Sequence, residues 1–264
     1  MSSSANTHLF DEDLNPVIEI SSNEDLDILV DIIKDSFSES LTSSAAFKSY
    51  SPNHEKYADL ICKEIREFGG NTIMNMARRE GPSYRKIVYG VAKILGANCN
   101  SKQDITEIEH AILSKFLEEA WKNMNDQERQ DLVKEIKAPG LVMGKTITAA
   151  TFQLIFKTGG FTSYQLLVSV ANGVARKMIG RGLSFAANAT LTRTAGILVG
   201  PVGLSLTAAL AIIEFAGPSK KVIIPSVVYI AMLRQKHSSK QCHNCERIIV
   251  NENAKFCDEC GAKL

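Results

Sequence analysis

An excess of charge of either sign is the first thing this sequence lacks. Over 264 residues, 30 Lys and Arg stand against 29 Asp and Glu, a formal net charge of +1. Runs of alternating apolar and polar residues are also missing, which argues against a β-sheet. Cysteines number six, too few for a disulfide scaffold of this length. The first residues, MSSSANTHLFDEDLNP, carry neither a basic stretch nor an apolar run. That excludes a secretory signal there and gives the expectation of a cytoplasmic protein. Disorder is excluded as well, because 45% of the chain is apolar and 22% charged.

The small net charge conceals unlike parts. Residues 1–138 hold 16 basic and 24 acidic side chains, a net of −8. Residues 139–234 hold nine basic residues (Lys145, Lys157, Arg176, Lys177, Arg181, Arg193, Lys220, Lys221 and Arg234) and one acid, Glu214, a net of +8. Such asymmetry points to an acidic soluble part joined to a basic part that docks on it, or that meets a membrane or nucleic acid. Nucleic acid is the weaker reading. The cations are dispersed, and Phe152, Phe156, Phe161 and Tyr164 are not interleaved with them as a stacking platform.

The acidic part has helical periodicity. Leu26, Leu29, Val30 and Ile33 fall on one face after Ser21-Ser22-Asn23. Residues 36–52 are Ser-rich and predict a loop or hinge. Tyr57, Leu60, Ile61, Ile65 and Phe68 form the next stripe, stopped by Gly69-Gly70. A short helix is expected over 71–79. Ser83 starts a helix that Gly96 ends, Asp104 starts the clearest one, and Asn125-Asp126 starts another reaching Lys137. The pattern predicts an all-α fold: a flexible N-terminus over 1–20, an acidic helical bundle over 21–138, a Gly/Ala-rich apolar helical region over 139–235, and a small unit over 238–264.

The apolar region admits three readings. Residues 195–213 are 19 uncharged residues, roughly 28 Å as a helix, close to the ~30 Å of a bilayer core. Gly196 and Gly200 share a face suited to close helix contact. Pro201 interrupts the run, which fits two buried helices equally well. Burial in a soluble core, reversible insertion and a permanent span all remain open. Arg176, Lys177 and Arg181 form a basic cluster able to meet an anionic membrane surface. The run 222–233 is apolar but only 12 long.

The tail carries the strongest chemical motif. Cys242-x-x-Cys245 and Cys257-x-x-Cys260 are separated by 11 residues. Each pair aims two thiolates at one point, and four sulfurs suit tetrahedral Zn²⁺. Gly261 suits the left-handed backbone after the second turn. Residues 247–250 and 255–256 are expected to form short strands. Metal binding would supply roughly 10–16 kcal/mol to a unit with no core of its own. A redox dithiol pair or another soft metal is the alternative. Four cysteines leave no open position for water, so the expected zinc is structural. The stretch NAKFCDECGAKL resembles the short zinc-ribbon family.

Other motifs are incomplete. Gly140 to Thr146 has Pro139 where a phosphate-binding loop needs its first glycine. Glu107-x-x-His110 matches half of a di-iron helix motif, and no second copy exists. His8 and His54 have no evident partners, and Cys62 and Cys99 are expected to be bystander thiols. Trp121 is expected as a core anchor, with a partner surface as its alternative role. No arrangement of nucleophile and base is evident.

Residues 24–235 resemble the YaaW-like family of uncharacterised bacterial proteins. The resemblance rests on Glu67-Phe68-Gly69-Gly70-Asn71, Ser83-Tyr84-Arg85, Phe116-Leu117 through Trp121-Lys122 with Met124, Gly200-Pro201-Val202-Gly203 and Ile224-Pro225. Members are sometimes labelled as similar to the ubiquinol–cytochrome c chaperone. That label implies an assembly factor beside a membrane and brings no catalytic residues. The cysteine tail is a departure from the short members and implies an added partner-binding module. The expected function is therefore a non-enzymatic cytoplasmic adaptor or assembly-type protein, with a membrane-associated fraction and an unidentified protein partner. A membrane-perturbing effector with an insertable apolar hairpin is the main alternative. An enzyme with an unrecognised site and a nucleic-acid-binding protein are weaker ones.

Overall fold

The computed structural model describes residues 10–34, 39–70, 81–130, 148–158, 166–168, 170–171, 218–240, 242–245, 249, 254–257 and 260–264. They are helical as expected. The helices are α1 (Asn15–Glu19), α2 (Asn23–Lys34), α3 (Glu39–Ser43), α4 (Ala45–Tyr50), a 3-10 turn (His54–Tyr57), α5 (Ala58–Phe68), α6 (Tyr84–Leu95), α7 (Ile105–Asn123), α8 (Ala149–Thr158) and α9 (Pro218–Ser238). Among the described residues, the one extended pairing is an antiparallel bridge between Phe256 and Lys263.

Local chemistry explains the boundaries. Asp104 accepts a hydrogen bond from the Thr106 N–H and starts α7. Gly96 ends α6 at φ +66°, a left-handed conformation that costs glycine little. Asn125 and Glu128 cap each other reciprocally. The Glu128 N–H donates to Asn125 Oδ1 (3.0 Å) and the Asn125 N–H to Glu128 Oε2 (2.7 Å). Residues 126–130 are helical; the rest of that expected helix, and the one over 71–79, lie outside the described residues.

Two expectations need correction. The Ser-rich 36–52 stretch holds α3 and α4 rather than a loop. Ser44 acts as a cap, accepting from the Phe47 N–H at 3.1 Å, and Leu41 is buried. Ser44, expected in a loop, instead starts a helix, a role worth about 1 kcal/mol. His54 is buried and does have partners: its Nδ1 meets the Tyr57 hydroxyl and its Nε2 lies 3.3 Å from Asp27 Oδ1.

One buried apolar cluster runs from Leu14, just before α1, to Leu233 on α9. Helix α9 packs on α1, α2, α5, α6 and α7, and α8 packs on α7. The 222–233 run thus lies inside the acidic half, which accounts for its lack of a polar face. Pro225 sits inside α9 and costs about 3 kcal/mol in a helix interior. Burying Ile224 and Val227 offsets that, at about 1.5–3 kcal/mol per side chain. No helix among the described residues is long and apolar enough to cross a membrane. Residues 195–213 lie outside them.

Candidate metal centre and the helix that carries it

The C-terminal thiols follow α9 directly, so the fastening of that helix positions them. Arg234 Nε donates to Glu109 Oε2 (2.9 Å), and its Nη2 donates to Glu109 Oε1 (3.2 Å) and to the Asp13 carbonyl. The Tyr84 hydroxyl donates to Glu109 Oε1 at 3.0 Å. Burial raises the Glu109 carboxyl above the usual carboxylate range, while Arg234 and Tyr84 oppose the rise. Desolvation would lower Arg234, but attraction to Glu109 outweighs it and raises its pKa. Two residues on, Lys236 Nζ donates to both oxygens of Asp25 at 2.8 Å. His237 Nε2 lies 3.0 Å from Ser21 Oγ. The Ser21 hydroxyl already donates to the Val17 carbonyl (2.7 Å), so His237 Nε2 is the donor there. Burial lowers the pKa of His237, favouring the neutral imidazole. Acidic and basic parts therefore face one another at this helix.

Beyond α9, Cys242, Cys245, Cys257 and Cys260 converge. Their four sulfurs all lie within 4.8 Å of one another, and the group is able to hold a metal ion. Cys242 and Cys260 Sγ are 3.6 Å apart, Cys245 and Cys257 Sγ 3.7 Å. A tetrahedral ion with 2.3 Å metal–sulfur bonds has sulfur–sulfur edges of about 3.8 Å, so the two pairs match opposite edges of such a shell. The backbone prepares this convergence. Gly261 adopts φ +71°, its N–H donates to the Cys257 carbonyl (3.0 Å), and the Cys257 N–H donates to Ala262 (2.8 Å). Phe256 pairs with Lys263, closing the second turn. Ile249, the described residue of the first expected strand, donates to the Lys240 carbonyl at 2.8 Å. Cys242, Ile249 and Cys257 form a small core apart from the main one. Hydrogen bonds from the Ala262 backbone and the Asn244 side chain hold the Cys260 thiol down to about 6, favouring the thiolate a metal needs. His243 is exposed.

Other expected site residues divide. Trp121 is buried, with the Arg129 guanidinium over its ring at 5.6 Å and Arg129 Nε donating to its carbonyl. Arg176, Lys177, Arg181, Gly196, Gly200, Pro201 and residues 140–146 lie outside the described residues. Cys62 is buried among apolar side chains, and that burial raises its thiol, as befits a bystander. The Glu109–Arg234–Tyr84 network escaped sequence reasoning. Its one trace was Arg234 at the end of an apolar run.

No family profile and no solved structure matches the chain. Curated relatives do. A UPF0174 protein of Helicobacter pylori strain J99 is 39% identical over 234 residues, 86% of this chain and 92% of the relative. Another, from H. pylori strain 26695, is 35% identical over 207 residues, 76% of this chain and 99% of the relative. UPF0174 protein YaaW of Escherichia coli K12 is 30% identical over 213 residues, covering 76% and 82%. Similarity of this depth across most of both chains means that the protein belongs to the UPF0174 family, which includes YaaW.

Proposed function

We propose that this protein is a non-enzymatic adaptor or assembly-type protein that presents a structural zinc ribbon to a protein partner. The carrying observation is the closed set of four thiols at the end of a helix fastened into the bundle. Thiolates are soft ligands and four of them fill a tetrahedral shell, which suits zinc in a structural role. Two ion pairs on α9, from Arg234 and Lys236, fix the point from which the ribbon projects. The protein resides in the cytoplasm with a membrane-associated fraction. Its attachment uses the 195–213 run and the basic cluster at Arg176, Lys177 and Arg181.

Two measurements on the full-length protein test this reading. Native mass spectrometry should find one zinc per chain, lost in Cys242→Ser and Cys257→Ser. Sedimentation with vesicles containing anionic lipid should carry part of the protein down, and deletion of 195–213 should abolish it. A protein without zinc would overturn the ribbon. One that ignores vesicles would overturn the membrane attachment.

A further inference from the structure

Away from the cysteines, a cleft of about 360 Å³ opens between α7, α8 and the chain between α6 and α7. That volume lies at the lower end of the range for small-molecule sites. Its aromatic wall is the half-buried His110 ring, backed by the fully buried ring of Phe156 with centroids 5.1 Å apart and planes at 22°. Burial holds the His110 imidazole down to about 4, so it is neutral at neutral pH. The formal charges lining the cleft are then one anion, Glu107, and one cation, Lys157.

Of the polar side chains around the cleft, Gln103 accepts from the Asn100 N–H at 2.8 Å and His110 hydrogen-bonds Gln235, while four others are unpaired among the described residues. Among the described residues, Glu107 and Lys157 make no ion pair, with each other or with any neighbour. The amide side chains of Asn98 and Gln153, which also line the cleft, make no hydrogen bond to another described residue. Four groups with free hydrogen-bonding capacity thus line one cleft beside an aromatic ring. A metal ion is not what they call for. The C-terminal thiols are the one group of three or more His, Cys, Asp or Glu among the described residues able to hold an ion. Glu107 opposes a simple anion such as phosphate, and Lys157 opposes a simple cation such as a polyamine.

We propose that this cleft binds a free amino acid, with its ammonium group at Glu107, its carboxylate at Lys157, and its side chain against the His110 ring. A zwitterion satisfies both charges at once and leaves none of them desolvated without a partner. Asn98 and Gln153 offer both donors and acceptors to the remaining polar atoms. The site is independent of the zinc ribbon and goes beyond the adaptor reading.

Calorimetric titration of the full-length, metal-loaded protein with each of the twenty L-amino acids tests this. At least one should bind at millimolar concentration or below. Glu107→Gln and Lys157→Gln should each weaken it about ten- to a hundredfold, the loss of one charge-assisted contact. Glu107 and Lys157 are exposed, so both variants should keep the wild-type circular dichroism. The N-acetyl and carboxamide derivatives of the bound amino acid should fail on the wild type. Absence of binding by all twenty would overturn the proposal. So would binding that neither substitution weakens, or inorganic phosphate binding that depends on Lys157.

Discussion

Arg234 and Glu109, 125 positions apart, form a two-point ion pair whose carboxylate is 1% exposed. The last cation of the basic region thus ends inside the acidic one, against an acid that would otherwise be buried alone. Desolvation of both groups consumes most of their mutual attraction, so the pair contributes more to the choice of partner than to net stability.

Removing one member should therefore be far worse than removing both. Arg234→Met leaves Glu109 buried without its cation and should cost about 3–5 kcal/mol in urea unfolding. The double variant Glu109→Gln with Arg234→Met should recover much of that loss. A double variant as unstable as the sum of the singles would show that the two residues do not act as a pair.

That pairing was illegible in the sequence for a physical reason. Opposite net charges of the two parts said that docking was available, but charge carries no address at a separation of 125 residues. The run 222–233 had the same ambiguity, since a helix apolar all round fits a protein core or a lipid bilayer. Signals read over one turn of chain fared better. Asp104 caps α7, Gly96 ends α6 in the left-handed region, and the two Cys-x-x-Cys turns bring their sulfurs together. The cap and the helix stop depend on neighbours two to four residues away, and the sulfurs on a repeated three-residue spacing. His54 met only half of that test: Tyr57 lies three residues on and was within reach, whereas its other partner, Asp27, lies on another helix.

His110 should make the protein acid-sensitive. Burial depresses its folded pKa to about 4 from 6.5. A depressed group contributes stability that is present above pH 6.5 and lost as pH falls through 4. The whole contribution is at most about 3 kcal/mol. The urea midpoint of the wild type should drop across that window, and His110→Gln should drop less. Parallel curves for the two proteins would contradict this.

Two glycines should respond differently to alanine. At Gly81 an added Cβ would lie 2.2 Å from the Arg66 carbonyl oxygen, a backbone atom that cannot turn aside. Arg66 in turn donates to the Gly81 and Pro82 carbonyls, so the shift would disturb a buried side chain as well. Gly81→Ala should cost about 3 kcal/mol, the upper end for overpacking. At Gly96 nothing lies within 4 Å, and only the left-handed φ opposes the change. Gly96→Ala should cost about 1–2 kcal/mol. Thermal unfolding of the two variants side by side gives the comparison, and a larger loss at Gly96 would refute the ordering.

Metal removal should act on the tail and spare the bundle. Cys242, Ile249 and Cys257 pack with one another and not with the main core. The ties that hold α9 in the bundle, at Arg234, Lys236 and His237, involve no cysteine. Chelation should therefore leave the helical circular dichroism nearly unchanged while protease cleavage within 242–264 rises steeply. Thiol labelling sharpens the test, because Cys62 is buried in the bundle and Cys260 is exposed. After chelation the four tail thiols should label rapidly and Cys62 should stay protected until the bundle unfolds. Simultaneous labelling of Cys62 would mean that the metal supports the bundle too, and that the small core is not energetically separate.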